Sequence, residues 1–195
     1  MGHLGRWYLV MAFSASEGKL LFKDWLIHMA KPLGFNRFLD VGCGAGLYGD
    51  LIREVFGREV TIEAVEPFQT YIFRHNLCEK YDMVWNREIQ GLCKELPDYD
   101  LIVAGDILEH LTKEDAIEVV SWLRLHCRFL WGALPVKMGR SWSTGYLQGP
   151  VDYEENELNK HLWDWTGDEI QKEFSPMWLC PFIQTGCFLI EGKIQ

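Results

Sequence analysis

The chain has 195 residues, which suits one domain able to bury roughly 70% of the surface its unfolded chain exposes. With 48% hydrophobic and 24% charged residues, neither a disordered tail nor a fibrous repeat is expected. Nineteen Lys and Arg against 28 Asp and Glu give a net charge of −9, so long nucleic acid and anionic membranes are not expected partners. No apolar run approaches the roughly 20 residues of a membrane crossing, and the N-terminus lacks a signal pattern. A cytoplasmic protein is the expectation. Six cysteines, at 43, 78, 93, 127, 180 and 187, include no C-x-x-C pair, and are expected to be reduced, buried thiols without a metal.

Residues 16–33 carry Leu21, Trp25, Met29 and Leu33 at helical spacing, with Phe22, Leu26 and Ala30 beside them, and Ser14 with Glu17 suits a capping box. Arg37–Val41 then reads as a strand that ends in glycines, and Tyr48, Leu51, Ile52, Val55 and Phe56 restore a helix. A strand at 60–65, a helix at 68–80, a weaker strand at 83–88 and a buried strand at 101–104 follow. Thr112 and Asp115 cap a helix bearing Ala116, Val119, Val120 and Leu123, ahead of a strand at 129–134. An aromatic-rich stretch runs from Pro135 to Trp165, Thr166 and Glu169 cap a further helix, and runs at 177–183 and 186–191 meet in a hairpin. This alternation predicts an α/β, doubly wound, mostly parallel sheet that binds ligand beyond the carboxyl ends of its strands.

Chemistry concentrates first at Leu39-Asp40-Val41-Gly42-Cys43-Gly44-Ala45-Gly46. Three alternate glycines between a strand and its helix let the chain turn sharply and let a ligand approach the backbone. A dinucleotide fingerprint would need its third glycine at Leu47, and a phosphate-binding P-loop would need a lysine that is absent. Glu66, 20 residues after Gly46 at the end of the second strand, suits a ribose whose two hydroxyls donate to a carboxylate. The ligand expected is adenosine-like and without phosphates. Asp40 is unusual as an acid in a buried strand, which calls for backbone partners or a nearby cation.

Residues 38–46, Ala64-Val65-Glu66-Pro67 and Asp100 through Leu111 resemble three motifs of the class I S-adenosylmethionine-dependent methyltransferases, a Rossmann-like family. The resemblance covers roughly residues 36–134. It implies a seven-stranded sheet with an antiparallel last strand, in keeping with the hairpin, and S-adenosyl-L-methionine as cofactor with S-adenosyl-L-homocysteine as product. The cofactor-binding residues it implies are Asp40, Gly42, Cys43, Gly44 and Gly46 in the first motif, Glu66, Pro67 and Phe68 in the second, and Ile89, Asp106 and Ile107 beyond. Phe68 or Ile89 would flank the adenine. One domain over 1–195 is expected, with an N-terminal lid at 1–35, a cofactor-binding core at 36–134, a substrate-facing insertion at 135–165 and a closing helix and hairpin at 166–195.

Methyl transfer from a sulfonium is an in-line displacement that asks the protein for proximity, alignment and exclusion of water, so no metal is required. A hydroxyl or protonated amine also needs a base, for which His161 and His110 are the candidates, with Asp106 beside them. His75 and His126 read as surface or core histidines. Gln148-Gly149 with residues 156–163 is loosely similar to a segment of bacterial and phage methyltransferase-like proteins. On a helix, Glu157 and His161 would share a face at i and i+4. Tyr146 and Trp163 are candidate acceptor contacts within an aromatic cluster that includes Trp142, Tyr153 and Trp165. Asp106-Ile107-Leu108-Glu109 departs from the Asp/Asn-Pro-Pro-aromatic segment of enzymes that methylate amino groups of DNA bases. A small-molecule acceptor, for instance a saccharide, is expected. The alternatives are a non-catalytic cofactor-binding module, an RNA or protein methyltransferase, and a nicotinamide-dependent oxidoreductase, the last disfavoured by Leu47.

Overall fold

A computed structural model describes residues 16–92, 95–136, 156–181 and 185–194. Its centre is a seven-stranded sheet in the order β3-β2-β1-β4-β5-β7-β6. The strands are β1 Arg37–Val41, β2 Thr61–Val65, β3 Met83–Trp85, β4 Tyr99–Gly105, β5 Cys127–Pro135, β6 Trp178–Pro181 and β7 Thr185–Glu191. All adjacent pairs up to β5 are parallel, whereas β7 lies antiparallel between β5 and β6. Four consecutive buried residues in β1 and five in β4 mark strands covered on both faces, as a parallel sheet requires. The fold is the expected Rossmann-like α/β arrangement.

One apolar layer packs α1 Ser16–Trp25 and α2 Leu47–Phe56 on the sheet through Phe22, Tyr48 and Ile52. The opposite layer holds α5 Ile89–Leu92, α6 Lys113–Leu123 and α7 Gly167–Phe174, with Trp165 and Phe174 in its centre. The capping expectations hold for α6 and α7. Thr112 accepts the Asp115 amide at 3.1 Å, and Thr166 and Glu169 form a reciprocal capping box. Ser14 lies outside the described residues.

Three local departures have physical causes. The N-terminal helix turns its Phe22, Leu26 and Ala30 face inward, leaving Met29 and Leu33 at 49% and 45% exposure. Its continuation Leu26–Ala30 is a π turn, closed by Lys31 N–H to the Leu26 carbonyl at 2.9 Å. That wider i→i+5 turn keeps residues four apart in line. The predicted helix at 68–80 is two short helices, α3 Gln69–Arg74 and α4 Leu77–Lys80, broken at Asn76, whose φ of 50° is tolerated by Asn. The strand predicted at 83–88 ends at Trp85, and Ile89 opens α5.

A close contact joins β5 to β7. Gly132 faces Phe188 in the register, and a Cβ on Gly132 would lie 2.1 Å from the Phe188 ring. Gly132→Ala should therefore destabilise the protein by about 1–3 kcal/mol through overpacking, read as a lower urea midpoint. An unchanged midpoint would mean that the ring is free to move.

Candidate functional site

Val41 on β1 pairs with Ala104 on β4, so the glycine loop and residues 105–106 leave the sheet side by side. Gly42, Gly44 and Gly46 all have positive φ, at 67°, 51° and 79°, a conformation that favours glycine. The loop is braced from below by Gly42 N–H to the Val65 carbonyl at 2.8 Å and Cys43 N–H to the same oxygen at 3.2 Å. A Cβ on Gly42 would press on Ile107 within 3.0 Å, whereas one on Gly44 would meet nothing within 4 Å. Gly44 is thus the point where the backbone opens onto free space. Cys43 is buried, and desolvation pushes its thiol up, disfavouring the thiolate.

Glu66 stands at the same edge, buried, with Oε2 accepting the Gly44 amide at 2.9 Å and Oε1 the Phe68 amide at 2.8 Å. One carboxylate therefore ties the glycine loop to the turn after β2. Burial raises its pKa against the lowering effect of these amides. Asn86, which the sequence reading missed, donates to the carbonyls of Glu66 and Pro67 at 2.8 and 2.9 Å. Phe68 stands edge-on to Tyr71 at 4.8 Å, and Ile89 is buried in the core beside Val65 and Leu92.

Asp40 is 1% exposed on β1 and accepts the Tyr81 hydroxyl on Oδ2 at 2.5 Å. Its Oδ1 is buried without a hydrogen-bond partner. Desolvation pushes its pKa up to about 7, with the positive charge of Lys19 acting the other way. Lys19 comes from α1 and feels both Asp106 and Asp40, while its own burial lowers its pKa. Neither Tyr81 nor Lys19 was anticipated, because Lys19 reaches the edge from α1 and Tyr81 from the residue after α4, where the sequence gives only a packing signal.

Beyond β4, Asp106 takes a φ of 57° and donates its amide to the Ala133 carbonyl at 2.7 Å. A 3₁₀ turn, Leu108–His110, then turns Glu109 inward. Segment 160–163 docks on this turn through Leu162 and Trp163 amides to the Glu109 carbonyl, at 2.8 and 3.2 Å. His161 thereby stands edge-on to His110, with ring centroids 4.9 Å apart. The two sequence candidates are brought together. Glu157 is not their partner: its 3₁₀ turn Glu157–Asn159 gives way to extended backbone at Lys160, so no i, i+4 face exists. Glu109 takes that neighbouring place instead.

Burial lowers the pKa of His110 to about 4 and that of His161 below its usual value. In both rings desolvation favours the neutral form. Burial, then the charge of Asp106, pushes Glu109 well above the usual carboxylate range. Trp163 has the Lys113 ammonium 5.0 Å above its ring, and Trp165 is fully buried. Tyr146, Trp142 and Tyr153 lie outside the described residues.

The Asp40 carboxyl sets a pH dependence. Its folded pKa near 7 exceeds the unfolded value of about 3.9, so its contribution to stability is complete below the unfolded value and lost as pH rises through 7. Wild type should lose roughly 2–3 kcal/mol relative to Asp40→Asn between about pH 5 and pH 8, measured by urea unfolding. Parallel pH profiles for the two proteins would refute the assignment.

No protein-family model matches the sequence, and no curated protein matches it. Solved structures do match in fold. Magnesium protoporphyrin IX methyltransferase from Synechocystis, with S-adenosylhomocysteine bound, aligns over 91% of this chain and 83% of its own at 13% identity and a TM-score of 0.66. TehB from Haemophilus influenzae aligns over 86% of this chain at 12% identity and a TM-score of 0.63, and this chain spans 61% of its length. The N-terminal domain of EvdMO1, crystallised in the presence of S-adenosylhomocysteine and D-fucose, aligns over 93% of this chain and 84% of its own at 9% identity and a TM-score of 0.63. Strand order, the reversed β7 and these alignments agree that the fold is that of the class I S-adenosylmethionine-dependent methyltransferases.

Proposed function

We propose that the chain is a methyltransferase that binds S-adenosyl-L-methionine at the carboxyl edge of β1 and β2 and methylates an oxygen or nitrogen of a small molecule, with a saccharide hydroxyl as the acceptor class. The observation that carries the reading is the Gly44 backbone, open to space beside the buried Glu66 carboxylate. A Cβ-free loop admits close approach, and a carboxylate keeps acceptor capacity for ribose hydroxyls beyond the two amides it holds. Asp40 leaves its Oδ1 without a hydrogen-bond partner at this edge, an acceptor that a ligand could engage. When bound, the cofactor supplies an electrophilic methyl group on a sulfonium that leaves as a neutral thioether.

This chain's own residues must then position the acceptor and manage its proton. An acceptor methylated on oxygen or nitrogen would have to give up a proton. His110 and His161, on the Asp106 side of the edge, are where we place that loss. The docked 160–163 segment holds His161 beside His110. Trp163, with Tyr146 in the insertion, is the aromatic surface proposed to meet the acceptor. The net charge of −9 disfavours RNA, and the similar EvdMO1 domain was crystallised in the presence of D-fucose. Among the described residues no helix is long and apolar enough to cross a membrane.

Calorimetric titration should give binding of S-adenosylmethionine and S-adenosylhomocysteine, weakened about ten- to a hundredfold in Glu66→Ala, which loses hydrogen bonds to a charged group. Reduced nicotinamide dinucleotide should not bind. Absence of binding by both sulfur ligands would sink the reading. With an acceptor found by screening, His161→Ala should lower kcat by about a hundredfold or more while cofactor affinity stays as in wild type. Unaltered kcat would remove His161 from the reaction.

A further inference from the structure

Glu109, His110 and His161 each present one potential ligand atom, and these atoms all lie within 4.8 Å of one another. Among the described residues no other group of three such side chains converges in this way. Two independent features point to a ligand there. Glu109 is 2% exposed and its Oε2 has no hydrogen-bond partner, an arrangement that costs free energy unless something completes it. His110 lies with Nδ1 3.2 Å from the Lys160 carbonyl, so in the tautomer that donates this bond the lone pair is on Nε2. A metal-bound histidine is commonly fixed in just this manner by a backbone carbonyl.

We infer that Glu109, His110 and His161 form a site for a divalent transition-metal ion, held by one carboxylate oxygen and two imidazole nitrogens. The expected donor distances are about 2.0–2.2 Å, which put neighbouring ligand atoms roughly 3.4 Å apart. A closing of up to about 1.4 Å completes coordination, within reach of a His161 rotamer change on its partly exposed segment. The donor set of two nitrogens and one oxygen suits zinc, cobalt or iron(II) in preference to magnesium or calcium. It leaves coordination positions open, as catalytic sites do and purely structural ones do not.

The inference departs from the expectation that no metal is needed, and in its catalytic role it rests on the proposed methyl transfer. An ion bound here would take the acceptor's hydroxyl oxygen in an open position and lower its pKa, so that the proton leaves to water. The imidazoles would then serve as ligands, and the loss of turnover in His161→Ala would report loss of the ion.

The test uses tag-free protein, stripped with a chelator and titrated with cobalt(II) by visible absorption and with zinc by calorimetry. One equivalent should bind, and cobalt should show the ligand-field bands of a nitrogen and oxygen site without a thiolate charge-transfer band. Glu109→Gln and His161→Ala should each weaken binding by at least tenfold, as loss of a ligand demands, whereas Glu157→Gln should bind as wild type does. His161→Ala is the variant expected to keep its fold, since the residue is partly exposed. Absence of saturable binding, a thiolate band, or equal affinity in wild type and His161→Ala would overturn the site. S-adenosylhomocysteine calorimetry on the same preparations separates the two ideas: cofactor binding without metal refutes only the metal site, and metal binding without cofactor refutes only the methyltransferase.

Discussion

A buried carboxylate on the central strand sets the terms for everything at the carboxyl edge. Asp40 sits where no water reaches, so its oxygens need a donor from the protein, and Tyr81 provides one from the residue following α4. That hydrogen bond draws the Tyr81 ring under α2, close enough that a Cβ on Gly49 would stand 2.5 Å from it. Gly46 is pressed by the same ring and by Lys80, whose ammonium donates to the Ala45 carbonyl at 3.0 Å. The glycines of the loop thus answer to two demands. Some make room for Tyr81 and Lys80, and Gly44 alone faces open space.

The order of strands and helices was legible because it is carried by side-chain period, and a strand buried on both faces leaves a short apolar run such as that of β4. Boundaries were less legible where a backbone event intervened. The π turn at Leu26–Ala30 and the left-handed Asn76 alter the geometry without altering the apolar spacing. The glycine loop and Glu66 were legible as a pair because their separation in sequence follows from one βαβ crossover. Tyr81, Lys19 and Asn86 were hidden, since each acts over a distance that only the tertiary fold closes.

The histidine cluster shows the limit most clearly. Sequence spacing suggested Glu157 as the acid beside His161, on the assumption of a helix. The chain instead extends after Asn159, because its amides at Leu162 and Trp163 find the Glu109 carbonyl. A backbone hydrogen bond over some fifty residues thereby replaced a local side-chain pairing. Asn159 adds a tie to the Tyr71 hydroxyl at 2.8 Å, so the same short segment touches both the Glu66 side and the Asp106 side of the edge.

The insertion of β7 between β5 and β6 carries a consequence for how the chain acquires its shape. β6 precedes β7 in synthesis but pairs with no other strand, so it must wait, unpaired, until the strand after it is available. β5 waits as well, with one edge open until the same moment. Without β7 the five parallel strands would present the unpaired edge of β5, a surface prone to pairing with other chains. One antiparallel strand thus both closes the edge of β5 and holds β6 to the sheet.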